Sequence, residues 1–579
     1  MGTGGNTILH TFRTYLSPYR IAITVALTLM LTELAVELTL PLLMAKIIDE
    51  GILAKDLSVV IQWGSVMIGL SLLAFVCGII NSFYAAHVGQ NFGFTIRKAL
   101  FVKVQNFTFE KLNKFPTASL ITRMTNDVTQ LQNTIFMGLR IMLRAPLLLI
   151  GSIIMSFIVS PVLATVFLIA VPIVVILLIT ILKRGSKLFQ LVQKKLDFVN
   201  DVLRENLVGM KLIKAYVRKE YERSRFNESA DSLKITTIRA LRIIESSMPI
   251  LLFIMNVAIL VLLWNGFWLA DGSRIEVGEV VAVINYGLRT TAVLSMFSFI
   301  IMFISRSRAS AERIYEVLHT EEQDLLHGKP SLFSQGDITF EHVTFSYPGE
   351  ESVLKDISFS VHAGETVAIM GGTGAGKSSL MQLIPRLYEV DSGKISIDQV
   401  DISTMNLIDL RNQTGLVPQE AVLFTGSVKE NIVWGKEDAT MSEVVEAAKA
   451  AQIHETIEKL PQRYNTRIGQ KGVNLSGGQK QRLSIARALV RKPKILLFDD
   501  STSALDVHTE KDLMEALHEY SATMLIITHK ISTAMQVDRV LLLDEGHLVA
   551  EGTHEQLLKT SPLYHKIYQS QMSEEVVYD

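Results

Sequence analysis

The sequence predicts an all-α membrane domain of six transmembrane helices with long cytoplasmic extensions, fused to a predominantly α/β domain. Three observations predict this division. The mean hydropathy is +0.32, which is too high for an ordinary soluble protein. Long apolar stretches occur only in the first half of the 579-residue chain. In the second half, strand-like and helix-like patterns alternate around a glycine-rich loop.

Six apolar stretches are long enough to cross a bilayer, for which about 20 residues suffice. They cover residues 21–43, 59–83, 137–159, 162–182, 248–269 and 277–303. The last one exceeds a minimal span, so we expect tilt or an extension beyond the bilayer. The connections after the second and fourth stretches are long and rich in helix-forming residues. We therefore expect the membrane helices to continue through them into the cytoplasm.

Charge determines the expected orientation of the membrane domain. The N-terminal segment contains Arg13 and Arg20, and both long connections are rich in lysine and arginine, whereas the other connections are short and acidic or neutral. By the positive-inside rule, the N-terminus and the long connections face the cytoplasm. The 56 basic and 57 acidic residues nearly cancel, which excludes a broad nucleic-acid-binding surface. The single cysteine, Cys77, excludes an intramolecular disulfide.

A polar stretch that contains glycine and proline, residues 320–336, is the predicted linker. The membrane domain is then expected to cover residues 1–319 and the second domain residues 337–579. In the second domain, residues 338–347 alternate as in a strand, residues 367–370 are uniformly apolar as in a buried strand, and residues 378–384 follow a helical period.

The glycine-rich loop lies between that buried strand and that helix. Its residues are Gly371, Gly372, Thr373, Gly374, Ala375, Gly376, Lys377 and Ser378, and Ser379 follows. Glycines allow the backbone to turn, so that successive N–H groups and the helix N-terminus surround a phosphate. We expect Lys377 to contact the β- and γ-phosphates of ATP and Ser378 to bind Mg²⁺. A glycine-rich turn without a ligand is the alternative.

A second uniformly apolar run, residues 495–498, predicts a strand buried on both faces. It places Asp499 at the carboxyl end of that strand, where a Mg²⁺ ion bound to ATP would lie. Alone, such a run is weak support for a nucleotide site, but its combination with the glycine-rich loop predicts an α/β P-loop NTPase with ATP and Mg²⁺ as cofactors.

Between these two motifs the chain carries a five-residue signature, formed by Leu475, Ser476, Gly477, Gly478 and Gln479. With this signature in place, nearly the whole chain resembles a half-transporter of the ATP-binding cassette (ABC) exporter family. The resemblance implies an ABC ATPase domain, hydrolysis of ATP, and a second subunit. In that family the signature contacts the ATP that is bound to the opposite subunit.

The resemblance assigns further roles by position. It implies that Tyr347 stacks on adenine, that Gln419 senses and binds Mg²⁺, that Asp506 lies in a loop at the dimer interface, and that His529 contacts the γ-phosphate. Taken singly, each residue has an ordinary alternative: an exposed tyrosine, a solvated glutamine, a helix-capping aspartate and a surface histidine. Two segments, residues 115–120 and 216–226, resemble the coupling helices of exporters, with solvated bends as the alternative.

Two positions depart from the family pattern. Asp500 stands where most members have the catalytic glutamate, and its shorter side chain leaves the carboxylate about 1 Å short of the attacking water. Gln470 stands where exporters usually have a glutamate that contacts the coupling helices. The intact signature and the altered Asp500 together resemble the degenerate-site subunit of bacterial heterodimeric multidrug exporters. That resemblance implies a heterodimer, with a partner that carries the glutamate, in a bacterial inner membrane.

The transported compound is suggested only by Glu33 and Glu37, which lie on one face of the first membrane helix. If they line a substrate cavity, they favour cationic amphiphiles; the alternative is a structural pair bonded to neighbouring helices. Export of hydrophobic or amphiphilic compounds, such as drugs, is the predicted function. A lipid or lipopeptide flippase and an ATP-gated channel or sensor are the alternatives.

Overall fold

The N-terminal half of the chain folds into long helices. A computed structural model describes residues 3–271, 275–322, 328–330 and 333–575. The helices of this half are α1 (Thr3–Leu16), α2 (Arg20–Lys46), α3 (Leu57–Gln105), α4 (Phe109–Lys114), α5 (Thr117–Thr122), α6 (Val128–Met137), α7 (Arg144–Val159), α8 (Pro161–Val208), α9 (Met210–Ala215), α10 (Lys219–Glu245), α11 (Ser247–Asp271) and α12 (Val277–Leu318).

Short 3₁₀ and π-helical turns join several of these helices into six continuous stretches that are long and apolar enough to cross a membrane. The stretches are His10–Leu53, Leu57–Gln105, Thr117–Val159, Pro161–Val208, Lys219–Leu269 and Val277–Leu318, and each contains one predicted span. The 49 residues of α3 extend for about 74 Å, against about 30 Å of bilayer core. The predicted continuation of the membrane helices beyond the bilayer is therefore confirmed.

Two buried contacts hold helices of the membrane unit together. The hydroxyl of Tyr286, on α12, donates a hydrogen bond of 2.5 Å to the carbonyl oxygen of Leu38, on α2. At Gly287, a Cβ atom would meet the ring of Phe167 at 2.4 Å, so α12 approaches α8 only because residue 287 has no side chain. Small residues allow this close approach in membrane domains, where the surrounding lipid supplies no hydrophobic driving force.

The described residues of the C-terminal half form twelve strands. They are β1 (Ile338–Ser346), β2 (Ser352–Val361), β3 (Thr366–Gly371), β4 (Ser392–Ile397), β5 (Val400–Asp401), β6 (Thr414–Val417), β7 (Gly426–Ser427), β8 (Arg467–Ile468), β9 (Ile495–Asp499), β10 (Thr523–Ile527), β11 (Arg539–Asp544) and β12 (His547–Gly552). The predicted strands at 338–347, 367–370 and 495–498 correspond to β1, β3 and β9.

The main sheet has six strands in the order β12-β11-β3-β10-β9-β6. All its neighbours are parallel except β12, which is antiparallel to β11. Every residue of β3, β9 and β10 is buried, so this part of the sheet is covered on both faces. In such a sheet, ligands bind beyond the carboxyl ends of the parallel strands. A second, antiparallel sheet has the order β2-β1-β4-β5.

The helices of this half lie between or after the strands. They are α13 (Lys377–Leu383), α14 (Leu407–Asn412), α15 (Val428–Val433), α16 (Met441–Ala450), α17 (His454–Glu458), α18 (Gly477–Leu489), α19 (Val507–His518), α20 (Ile531–Ala534), α21 (His554–Thr560) and α22 (Pro562–Glu575). The chain divides into two compact units between Thr320 and Glu321, and the second unit also includes Asn106–Phe115. Residues 323–327 and 331–332 of the predicted linker lie outside the described residues.

The segment of the N-terminal half that belongs to the second unit, Asn106–Phe115, differs from the predicted coupling segment, residues 115–120. It contains α4, where Asn113 Nδ2 donates to the hydroxyl of Tyr388 at 2.7 Å and the ring of Phe109 meets that of Tyr388 edge-on at 6.0 Å. Residues 115–120 were predicted instead, because Pro116 marks a break. The structure begins α5 directly after Pro116 and assigns it to the membrane unit. The prediction placed the helix break at Pro116 correctly, but the contact with Tyr388 is made by α4, upstream of that break.

The second predicted coupling segment, residues 216–226, is also placed differently. The short helix in this connection is α9, which ends at Ala215, and Val217 has a left-handed backbone with φ of 54°. From Lys219 onward the chain is already in the 27-residue helix α10. The exposed tip of the connection therefore lies around α9 and the turn that follows it, upstream of most of the predicted range.

Asp398 anchors the chain just before β1. Its two carboxylate oxygens accept backbone hydrogen bonds from Ser334, Gln335, Gly336 and Asp337, at 2.8 to 2.9 Å. Burial alone would raise the pKa of Asp398, but these four donors lower it below its ordinary value. A carboxylate that is more acidic in the folded state stabilises the fold above its ordinary pKa, and this stabilisation is lost as the pH falls through the lower folded value.

We expect Asp398→Ala to lower the melting temperature of the second unit by about 3 °C at pH 7. The four N–H groups exchange a charged acceptor for water, at a cost of about 1 kcal/mol after allowance for partial exposure. Thermal unfolding followed by circular dichroism measures this change. As the pH falls from about 4 through the lower folded pKa of Asp398, wild type and variant should converge, because the folded carboxylate becomes protonated only there. Equal melting temperatures at pH 7 would contradict the anchoring role.

Candidate nucleotide-binding site

The glycine-rich loop connects the carboxyl end of β3 to the N-terminus of α13. Gly374 and Gly376 have left-handed backbones, with φ of 85° and 92°. A side chain at Gly376 would also meet the carbonyl oxygen of Val353 at 2.9 Å. The amino group of Lys377 donates to the carbonyl oxygens of Gly371 and Gly372 at 2.9 and 2.7 Å. The lysine side chain therefore lies across the loop, in reach of a phosphate that the loop would hold.

Ser378 and Asp499 meet at the carboxyl ends of β3 and β9. The Ser378 hydroxyl donates to Asp499 Oδ1 at 2.8 Å. Burial raises the pKa of Asp499; the Ser378 hydrogen bond and Lys377 oppose this rise, and the neighbouring charge of Asp500 adds to it. A hydroxyl and a carboxylate are oxygen donors of the kind that Mg²⁺ prefers, so the pair fits a magnesium ion shared with ATP phosphates. Bound there, the ion would neutralise charge on the phosphates.

Electrostatics at Lys377 favour an anionic ligand. Burial lowers the pKa of the Lys377 amino group, and the negative charges of Asp500 and Asp499 partly offset that effect. A phosphate that entered the loop would bring further negative charge against a partly dehydrated ammonium group. Such a contact is stronger than it would be in bulk water.

A cavity of about 390 Å³ brings the predicted nucleotide-site residues together. Its lining consists of Tyr347, Val353, Thr373, Gly374, Ala375, Gly376, Lys377, Ser378, Ser379, Gln419, Asp499, Asp500, Ile527 and His529. Tyr347, Gln419 and His529 had been assigned only by resemblance. They come from three separate parts of the sequence and share this cavity.

Asp500 occupies a distinctive position at the edge of this cavity. Its backbone is left-handed, with φ of 44°, a conformation that aspartate adopts more readily than most residues. Its Oδ2 accepts a hydrogen bond of 3.3 Å from Gln419 Nε2. Gln419 thus holds the Asp500 carboxylate and does not contact Asp499. The predicted Mg²⁺ role of Gln419 remains a prediction.

Tyr347 lies just after β1, at the mouth of the cavity. Its hydroxyl is 3.0 Å from the Ser379 hydroxyl, and its ring packs edge-on against Phe345 and Tyr388, with centroids 5.0 and 5.3 Å apart. The half-buried ring is held by neighbours, so it is oriented before a ligand arrives.

The five-residue signature does not line this cavity. Ser476 caps the N-terminus of α18: its hydroxyl accepts from the Gln479 amide at 3.3 Å, and Gln479 Oε1 accepts from the Ser476 amide at 2.9 Å. Ser476 and Gly477 are exposed. At Gly477 a Cβ atom would have no neighbour within 4 Å among atoms of this chain. The capping box therefore presents an exposed helix N-terminus, which favours anions.

Asp506 also lies outside the cavity. It is exposed and caps α19: Oδ1 accepts from the Thr509 amide at 3.0 Å, and Oδ2 accepts from the Thr509 hydroxyl at 2.7 Å. These two hydrogen bonds lower its pKa. The structure thus shows the capping role that was the alternative interpretation, and the interface role remains a prediction. Gln470, the second departure, is exposed in the 3₁₀ turn Gln470–Gly472.

Residues that the sequence did not reveal position the His529 loop. The Lys530 amino group donates to Glu510 at 2.5 Å and to the carbonyl oxygen of Thr502 at 3.2 Å. Gln571, on α22, donates to the carbonyl oxygen of His529 at 2.6 Å. Lys530 directly follows His529 in the sequence. Glu510 is 20 residues from Lys530, Gln571 is 42 residues from His529, and neither belongs to a motif.

In the membrane unit, Glu33 and Glu37 are both ion-paired. Arg144 Nη1 contacts Glu33 Oε1 and Arg144 Nη2 contacts Glu37 Oε2, each at 2.6 Å, and Arg289 contacts Glu37 Oε1 at 2.8 Å. Glu37 lines a cavity of the membrane unit, but Glu33 is not part of that lining. The two arginines neutralise the negative charge on which the expected preference for cations depended. Arg144 lies in the predicted span 137–159 and Arg289 in the predicted span 277–303, so a search of these spans for basic residues would have identified both.

Two protein families match the chain. The family described as ABC transporter transmembrane region matches residues 23–308, and the family described as ABC transporter matches residues 354–503. The chain belongs to the ABC transporter family. It is an exporter half-transporter, because one membrane domain and one ATPase domain occur in a single chain, and half-transporters of this family dimerise. It is therefore a multi-pass membrane protein of the ATP-hydrolysing transporter class.

Similar proteins agree with this assignment. The chain is 52% identical over 563 residues to the Bacillus subtilis (strain 168) ABC transporter ATP-binding protein YfiB, a match that covers 97% of the chain and 98% of YfiB. It is 32% identical over 509 residues to the ATP-dependent lipid A-core flippase of Acinetobacter baylyi, covering 87% and 88%. A solved bacterial Atm1-family ABC exporter with ATP bound has a TM-score of 0.79 and 26% identity, covering 95% and 98%. The predicted fold class is confirmed.

We expect Lys377→Ala to weaken ATP binding to the purified chain about tenfold, because the loop loses its charged phosphate contact. Equilibrium binding of a fluorescent ATP analogue measures the effect. Lys355→Ala is the matched control, since Lys355 is an exposed lysine of the same unit that does not line the cavity. Equal affinity of wild type and Lys377→Ala would remove the phosphate role from Lys377.

Proposed function

We propose that this half-transporter is one subunit of a heterodimeric exporter that moves hydrophobic or amphiphilic compounds out of the cell across a bacterial inner membrane. Its own ATP site is catalytically weakened. The observation that carries the proposal is Asp500, an aspartate at the position of the family's catalytic glutamate. It lies in a cavity that contains the other predicted nucleotide contacts except Gly371 and Gly372.

The contacts of Asp500 support weak hydrolysis at this site. A general base has to reach the attacking water within hydrogen-bonding distance. The Asp500 carboxylate is one methylene shorter than that of glutamate, and Oδ2 already accepts a hydrogen bond from Gln419. Its left-handed backbone restricts any compensating shift of the chain. ATP would therefore remain bound at this site longer than at a site that carries the glutamate.

The exposed signature supports a role in the partner's site. Among the described residues, no atom lies close enough to residue 477 to require a glycine there, because a side chain would meet open space. The lack of a side chain is explained if a nucleotide held by a second subunit approaches the N-terminus of α18 closely. This subunit would then complete a hydrolytic site whose phosphate loop and glutamate belong to the partner.

An exposed apolar surface around α9 supports the presence of a second subunit, either identical to this chain or different from it. The connection around α9 carries apolar side chains that are almost fully accessible in the single chain, including Val208 and Val217, which are 84% and 85% exposed. Leu207, Leu212 and Tyr216 are exposed beside them. Apolar side chains at the cytoplasmic tip of a membrane helix pair require a cover. We propose that the ATPase domain of the partner provides it, as the resemblance to exporters implies.

Lipid transport is a second candidate. The 32% identical relative from Acinetobacter baylyi is a lipid A-core flippase, and it covers most of this chain. An exporter of amphiphiles and a flippase have the same architecture. Stimulation of ATPase activity by lipid, compared with stimulation by soluble amphiphiles, discriminates the two.

We expect the purified chain alone to hydrolyse ATP slowly, and the complex with its copurifying partner to hydrolyse it rapidly. In the complex, Asp500→Glu should raise turnover about twofold, since a second site gains a general base, whereas Asp500→Asn should reduce it only slightly. A phosphate-release assay measures both changes.

Asp356→Glu is the control for these two variants. Asp356 is exposed and also has a left-handed backbone, with φ of 52°, but it lies outside the cavity. This change should leave turnover unaltered. Rapid hydrolysis by the chain without a partner, or a large loss with Asp500→Asn, would contradict the division of the two sites.

We expect Gly477→Ala to reduce turnover of the complex about tenfold, or roughly 1.4 kcal/mol in transition-state stabilisation, without lowering the melting temperature. The added methyl group meets no atom of this chain, so only contact with the partner's nucleotide is disturbed. Ser476→Arg should disable the same site completely. Gly69→Ala, which also adds a methyl group to open space within the chain, is the control. Normal turnover of Gly477→Ala would refute the contact.

A further inference from the structure

A second cavity, of about 530 Å³, lies in the membrane unit between α2, α7, α12 and the π-helical turn Gly138–Met142. We name it the arginine cavity. Its charged lining residues are Glu37, Arg140, Arg144 and Arg289, and its other six lining residues are apolar. The cavity therefore combines an apolar wall with guanidinium groups, which is the chemistry of a site for an amphiphile.

The charges of this cavity do not cancel. Arg144 forms ion pairs with Glu33 and Glu37, and Arg289 forms one with Glu37. Three arginines against two glutamates leave one positive charge. Arg140 accounts for that charge: it is exposed to the cavity and has no ion pair or hydrogen bond to the part of the chain that the structure describes.

The position of the cluster along the helices places its ion pairs inside the bilayer core. At a rise of 1.5 Å per residue, Glu37 lies about 14 Å from the outer end of α2, Arg289 about 18 Å from that of α12, and Arg144 about 22 Å from that of α7. These depths lie within a bilayer core of about 30 Å. By the same measure Arg140 lies about 28 Å from the outer end of α7, near the cytoplasmic boundary of the core. An ionisable group that lines a cavity of a membrane domain marks a substrate path more often than a structural contact.

We propose that the arginine cavity binds amphiphiles with an anionic headgroup, a phosphate or a carboxylate, and that Arg140 contacts the headgroup. Arginine presents several N–H donors in a planar fork that matches the oxygens of either group. The two ion pairs of Glu37 hold Arg144 and Arg289 in place beside it. A cationic amphiphile would meet a net positive charge in the same cavity. Transport of the bound amphiphile rests on the exporter function proposed above, but its binding does not require ATP.

The experiment is equilibrium binding to the purified complex in a neutral detergent, without nucleotide, by isothermal titration calorimetry. The probes are dodecyl phosphate, dodecyltrimethylammonium of the same chain length, and inorganic phosphate. Dodecyl phosphate should bind more tightly than the cation. Arg140→Gln should weaken its binding about tenfold, Arg140→Lys should retain most of it, and Arg140→Glu should abolish it. Because Arg140 is exposed and unpaired, these variants should keep the wild-type melting temperature.

Arg239→Gln is the matched control, since Arg239 is an exposed arginine of the membrane unit outside the cavity. It should leave all affinities unchanged. Binding of inorganic phosphate as tight as that of dodecyl phosphate would overturn the amphiphile requirement. Tighter binding of the cation, or no effect of Arg140→Gln, would overturn the anion preference.

Two further measurements are needed. The first distinguishes the two sources of the headgroup, and the second distinguishes failure of the arginine-cavity proposal from failure of the proposed function. In nanodiscs, phosphatidylglycerol that competes with dodecyl phosphate identifies the membrane lipid as a ligand, and absence of competition identifies amphiphiles that enter from solution. Both results require the anion site. ATPase activity of the same complex is measured in parallel: normal turnover with no anion binding refutes only the arginine cavity, whereas anion binding with rapid turnover of the chain alone refutes only the heterodimeric function.

Discussion

The candidate nucleotide site depends on the parallel pairing of β3, β10 and β9. A hydrogen bond between Ser378 and Asp499 joins the two halves of the site. It connects the carboxyl end of β3, through the phosphate loop, to the carboxyl end of β9. The parallel arrangement of β3, β10 and β9 determines the distance between these ends, because the strands are paired in register by backbone hydrogen bonds. Lys377, Asp500 and His529 then follow at defined positions around one cavity.

The same rigidity limits what Asp500 can do. A residue directly after β9 cannot move toward a bound nucleotide without disturbing a strand whose every side chain is buried. The length of its side chain therefore decides its reach. The N-terminus of α18 is also well capped, and it does not line the cavity of the candidate nucleotide site. The proposed division of labour between two subunits would account for both features, with this subunit contributing mainly binding and the signature.

The membrane unit illustrates how a charge pattern changes meaning when the helices pack. Along α2 alone, Glu33 and Glu37 form a negative face. In the packed unit, Arg144 and Arg289 approach from two other helices, and each carboxylate has at least one guanidinium within 2.8 Å. The net charge of the cavity lining is therefore positive, whereas α2 alone suggests a negative one. Because ionisable groups in a bilayer are expensive, Arg144 and Arg289 pair with the two glutamates, whereas Arg140 forms no ion pair within the part of the chain that the structure describes.

By itself, the sequence determined the features that depend on neighbouring residues. The six spans follow from runs of apolar side chains that exceed the bilayer thickness, and the strand–loop–helix around Lys377 follows from glycines between two regular periods. Residues 495–498 were identified as a buried strand for the same reason. Short-range periodicity can be read directly from the sequence, so the prediction of these elements required no knowledge of the tertiary packing.

The tertiary structure alone decided the features that join distant residues. Glu33 and Arg144 are 111 residues apart, Asn113 and Tyr388 are 275 apart, and Gln571 reaches the carbonyl oxygen of His529 across 42 residues. No periodicity links such pairs, since their proximity depends on how helices cross and how strands are ordered. For this reason the sequence predicted where ATP would bind, whereas the sign of the charge in the membrane cavity became visible only when α2, α7 and α12 were packed together.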